Sequence, residues 1–74
     1  MNGVKRSQVG VQTQQYETEH GHAPRGRGQW AFTFGQHNTV PVFCPLGPVL
    51  YGAAKAWAIA EAVSRGCYDV GVCD

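Results

Sequence analysis

Arg25 and Arg27 stand two residues apart in the segment His20-Gly21-His22-Ala23-Pro24-Arg25-Gly26-Arg27-Gly28, directly ahead of Trp30, Phe32 and Phe34. A guanidinium is always charged, planar and rich in donors, so such a pair grips phosphate or carboxylate oxygens, and aromatic rings beside it offer stacking surfaces. RNA-recognition sheets use a similar step from Arg-Gly into alternating aromatics that stack on bases. The step here, Arg27-Gly28-Gln29-Trp30-Ala31-Phe32, has glutamine and tryptophan where that pattern wants an aromatic and then a small residue. Supply decides the matter. In a chain of 74 residues, Trp30, Phe32 and Phe34 are the main large side chains available for a core, so their burial is expected and anion contact falls to the arginines.

Trp57 and Tyr51 are the other candidate binding residues. Both lie on a predicted helix, away from the centre of its expected buried face, where Trp and Tyr serve either as packing against a strand edge or as interface anchors. His20 and His22 have the H-x-H spacing that turns two imidazoles to one side of an extended chain, and His37, Cys44, Cys67 and Cys73 are further potential ligands. No zinc-finger or ribbon spacing joins them, so solvated loop histidines and no metal site are expected. Cys67 and Cys73 flank a short predicted strand whose extended length, roughly 20 Å, is far too great for a disulfide. Cys67 also follows a helix C-terminus, where the dipole disfavours a thiolate. Glu17, Glu19 and Asp69 show no paired arrangement for acid/base work, and no P-loop, nucleophile elbow or H-E-x-x-H motif is present. The sequence therefore predicts a non-enzymatic protein without a cofactor.

The chain is long enough for one domain. Its 43% hydrophobic and 15% charged residues predict a folded rather than disordered chain. A formal charge of +1 gives no whole-molecule field to attract nucleic acid or membrane, so any such partner is held locally. There is no apolar run of membrane-spanning length and no apolar block near Met1, and the expectation is a cytoplasmic protein with reduced thiols.

The elements that position these residues are expected as follows. Residues 1–8 read as a frayed tail and 9–74 as a single α+β domain. Val9 to Glu19, rich in Val, Thr, Gln and Tyr, reads as an edge-like first strand. Residues 20–28 form a loop, and Gln29 to Phe34 is the clearest strand, with three aromatics on one face. Gly35 to Asn38 is a turn and Thr39 to Cys44 a third strand, edge-like at Pro41. A helix follows, with Gly47 as N-cap, Pro48 at its first position and Gly66 as C-cap. Its wheel gathers Gly52, Ala53, Ala56, Ile59, Ala60 and Val63 into the expected buried face. Tyr68, Val70 and Val72 alternate in a last strand, giving a small antiparallel β-β-β-α-β sheet with one C-terminal helix on one face.

The run from His20-Gly21 through Pro24-Arg25-Gly26 to Gln29-Trp30-Ala31-Phe32, followed by Tyr51-Gly52-Ala53-Ala54-Lys55-Ala56, resembles small accessory proteins of bacteriophages and other mobile elements. Compact α+β proteins of this size include the anti-CRISPR inhibitors, which bind a host effector and block its nucleic-acid site or moving parts. The resemblance implies a protein-binding module that inhibits or modulates a host complex but carries over no functional residue by position; the residues themselves point to Arg25, Arg27, Trp57 and Tyr51 as the expected contacts. The net charge departs from the acidic members that mimic nucleic acid. A nucleic-acid binder that uses Arg25 and Arg27 on phosphates is the alternative. A symmetric homodimer formed through the edge strand Val9 to Glu19 is a third reading.

Overall fold

A computed structural model describes residues 3–35 and 40–73 of the chain. Asn38 and Thr39, parts of the expected turn and third strand, and His37 lie outside the described residues. The fold is α+β, with a four-stranded sheet, a separate two-stranded ribbon and two helices.

The main sheet contains β1 (Gly10–Gln12), β3 (Ala31–Phe34), β4 (Val42–Phe43) and β6 (Asp69–Val72), in the order β1-β6-β3-β4. The ribbon pairs β2 (Arg27–Gly28) with β5 (Val49–Leu50) in antiparallel register. The helices are α1 (Gln14–His20) and α2 (Tyr51–Arg65).

Trp30, Phe32 and Phe34 alternate as expected and are 4%, 0% and 2% exposed. Register explains how they are buried. Phe32 pairs with Val72 and Val42, and Phe34 with Val70, which in turn pairs with Val11. Directly opposed residues share a sheet face, so Val72-Phe32-Val42 and Val11-Val70-Phe34 form two apolar rows across one side. Both helices cover that side: Tyr16 of α1 and Ala54, Ala58 and Ala62 of α2 belong to the same buried cluster. The other side carries Gln12, Gly71, Thr33 and the exposed Phe43. A Cβ on Gly71 would stand 2.6 Å from the Thr33 Oγ1, so glycine is what lets β6 lie flush against β3 at this pair.

Several expectations are corrected, among them the antiparallel sheet, which is mixed. Only Gly10–Gln12 of the predicted strand Val9 to Glu19 is extended; Gln14–His20 is helical. Gln14, Gln15, Glu17 and Glu19 are good helix formers, and Gly21 closes the helix in the left-handed conformation, its N–H donating to the Glu17 carbonyl. Because α1 carries the chain away over the sheet, β1 does not return by a hairpin, and its partner β6 runs parallel to it, making the sheet mixed.

The second helix begins at Tyr51 rather than Pro48, because Val49–Leu50 is taken up by the ladder with Arg27–Gly28. Gly47, at φ +84°, is a turn residue and not a cap. Gly66 does end the helix in the left-handed region, as expected.

The buried face of α2 is Ala54, Ala58 and Ala62, spaced i, i+4, i+8, while Gly52, Ala53 and Ala56 are exposed and Ile59, Ala60 and Val63 half-buried. The packed face is thus nearly opposite the expected one. Methyl-sized side chains bring the helix axis close to the sheet, and the large rings of β3 fill the space between.

The described part of the segment read as a frayed tail packs on the rest of the chain: Val4 is buried and a 3-10 turn at Arg6–Gln8 lies against α2.

Candidate functional site

One end of the two-layer core is a chain of rings in contact. Tyr16 lies between His20, at 4.1 Å between ring centroids, and Trp30, at 5.5 Å, with His22 edge-on at 5.8 Å. Trp30 continues to Tyr51 at 4.9 Å. The indole N–H of Trp30 donates to the Val49 carbonyl at 3.1 Å, which ties the ring to β5. Trp30 is therefore fixed from both sides and presents no free donor.

Above this floor opens a pocket of about 200 Å3, lined by Tyr16, Arg25, Arg27, Gly28, Gln29 and Trp30. Both arginines are exposed. Arg27 Nη1 donates to the Pro48 carbonyl at 3.4 Å, a weak tether across the ribbon, and neither guanidinium meets a carboxylate among the described residues.

Between the arginines, Gly26 adopts φ +82°, a conformation glycine takes without steric penalty, and its carbonyl accepts from the Tyr51 N–H at 2.9 Å. That bond occupies one of the unpaired donors at the start of α2 and pins the arginine loop to the helix. The pocket thus holds two positive charges over a rigid aromatic floor, with no negative group in its lining. Such an arrangement suits an oxyanion.

The structure places the four candidate contact residues unequally. Arg25 and Arg27 come together at the pocket. Tyr51 and Trp57, taken from the sequence as helix-flank anchors, are half-buried parts of the core. Trp57 lies 6.0 Å from Phe32 and 6.1 Å from Phe34 between centroids. Burial pushes the Tyr51 phenol up from its ordinary range, as desolvation of its charged form requires. These rings turn inward because the buried face of α2 is centred on Ala58: Tyr51, seven residues earlier, lies along the same line, and Trp57 at the margin. Trp57→Ala is accordingly expected to cost about 2 kcal/mol, lowering Tm by roughly 10 °C. A calorimetric melt checks it; an unchanged melt would return Trp57 to the surface.

Tyr16 and Trp30, which form the pocket floor, were not separable as site residues in the sequence, because they meet only through the packing of α1 on the sheet. Both histidines of the H-x-H pair contact Tyr16, His20 stacked and His22 edge-on, with their own ring centroids 6.2 Å apart. Among the described residues no three His, Cys, Asp or Glu side chains converge as a metal site. Cys44 is buried, and Cys67 and Cys73 are half-buried thiols. Among the described residues no helix is long and apolar enough to cross a membrane. No protein-family model, no curated protein and no solved structure matches this chain.

Proposed function

We propose that this chain is a non-enzymatic binding module that engages a protein partner through Arg25 and Arg27. The observation that carries the reading is the pair of exposed guanidiniums, without carboxylate partners among the described residues, on a loop held by the Gly26–Tyr51 hydrogen bond. A loop already fixed in place loses little conformational freedom on binding, and arginine is among the residues that dominate interface energetics. The resemblance to mobile-element accessory proteins supplies the class of partner: a host complex, such as a CRISPR–Cas effector, that the module inhibits or modulates.

The same arginines also suit phosphates, and this supports a second reading as a nucleic-acid binder. Base stacking is not part of that reading, because both helices cover the aromatic face of β3.

Capture of partners by the tagged protein from a bacterial host lysate, with and without nuclease, tests both. The expected result is a stoichiometric, nuclease-resistant protein that is lost with Arg25→Ala/Arg27→Ala, while the variant's stability changes by only about 0.5 kcal/mol per site. Capture indifferent to the double substitution would overturn the assignment. Nuclease-sensitive recovery, with affinity falling steeply as salt rises, would select the nucleic-acid reading.

A further inference from the structure

We infer that the pocket beside β2 is a docking groove for an extended acidic segment of a protein partner, which adds a strand to the β2–β5 ribbon and sets its carboxylates on Arg25 and Arg27. This rests on the binding-module reading and specifies what part of a partner is gripped.

The shape of the site supports an extended occupant. Its lining is nearly one continuous stretch of chain, Arg25 and Arg27 to Trp30, joined by Tyr16 of α1 in the floor. A site lined by consecutive residues of an extended segment suits an occupant in the same conformation. Gly28 contributes no side chain to obstruct it.

Backbone polarity points the same way. β2 has a ladder partner on one side only. Tyr51 donates to the Gly26 carbonyl, and the next opposed pairs are Arg27 with Leu50 and Gly28 with Val49. Antiparallel ladders alternate between hydrogen-bonded and non-bonded pairs. Gly26 and Gly28 therefore direct their polar groups at β5, and Arg27 turns its N–H and C=O to the outer edge. An unpaired donor and acceptor on a strand edge are a template for another strand.

Charge chooses the sequence of that strand. Two guanidiniums and no carboxylate face the groove. Alternate side chains of an extended peptide project to one side, so acidic residues at every second position present a row of carboxylates to them. A nucleic-acid strand supplies anions but no N–H and C=O alternation for the Arg27 edge, which is why a peptide is favoured.

The test is a titration of the full chain, followed by NMR and calorimetry at low salt, with a short capped peptide alternating Glu and Thr. Its controls are the same peptide with Gln for Glu, a backbone N-methylated version and single-stranded oligothymidylate. The expected result is saturable binding of the Glu peptide, with shifts confined to residues 25–30 and Tyr16 and slowed exchange of the Arg27 amide proton. Either Arg25→Ala or Arg27→Ala is expected to weaken binding about tenfold, the loss of one charge-assisted hydrogen bond, and the Gln peptide, which takes the carboxylate from both arginines, by more than that. N-methylation is expected to abolish it.

Equal binding of the Gln peptide, shifts elsewhere, no saturation, or tighter binding of oligothymidylate at the same residues would each overturn the groove. The two readings fail separately. A lysate partner lost with Arg25→Ala/Arg27→Ala, without any peptide binding, leaves the module standing and removes the groove. Peptide binding without such a partner does the reverse.

Discussion

Ala58→Glu is expected to abolish the cooperative thermal transition, while Ala56→Glu, on the same helix, is expected to melt within a few degrees of the parent. Ala58 is fully buried in the row Ala54, Ala58, Ala62 that faces the sheet, and the space it occupies is bounded by large rings. A glutamate there brings about four extra heavy atoms into a packed layer and a carboxylate that has no cation or donor within the core. Together these cost several kcal/mol, comparable with the whole stability of a domain of this length. Ala56 is exposed, and a good helix former replaces it without entering the core. Circular dichroism melts of both variants decide it. The reverse order of effects would mean that the Ile59–Val63 side is the packed one.

Phe32→Ala is expected to be the most damaging truncation among the aromatics, at about 4 kcal/mol, and Phe43→Ala nearly silent, within about 0.5 kcal/mol. Phe32 is 0% exposed, stands opposite both Val72 and Val42, and carries the ring of Trp57 against it. Its removal leaves a cavity between sheet and helix that small side chains such as Ala54 and Ala58 cannot fill. Phe43 opposes Ala31 on the other side of the sheet and is 57% exposed. Urea titration separates the two, since a chain of 74 residues has only roughly 4 to 11 kcal/mol to lose. Equal sensitivity at Phe43 would show that the second face is also covered.

What the sequence made legible was local. The alternation of Trp30, Phe32 and Phe34 and of Val70 and Val72, and the stop at Gly66, each follow from a few adjacent residues and hold in the fold. The first helix was hidden because Tyr16 is its one large apolar side chain, which leaves no 3.6-residue pattern, and because its Thr and Tyr also suit strands.

The phase of α2 was hidden for another reason. Alanines surround the helix almost completely, so a wheel weighted by hydrophobicity follows Ile59 and Val63. The fold instead follows the volume left by the rings below, which is a property of two elements together. The displaced helix start has the same origin, since Val49–Leu50 is extended only because Arg27–Gly28 pairs with it. At the site, the arginine loop was readable from charge and glycine content. The Tyr16–Trp30 floor, made by residues brought together across the fold, was not.

The position of β6 has a consequence for how the molecule is made. Residues 69–72 form the strand between β1 and β3, so β1, which has no other ladder partner, waits for it, while β3 has β4. A chain leaving the ribosome at 5–20 residues per second carries β1 unpaired until the remainder of the described sequence has been made, roughly 3 to 12 seconds. The contact that completes the sheet also spans nearly the whole chain, and the closure entropy of that loop is met before the ladder forms. The four-stranded sheet therefore closes only once β6 has been made, around its last strand in chain order, rather than growing outward from its first-made one.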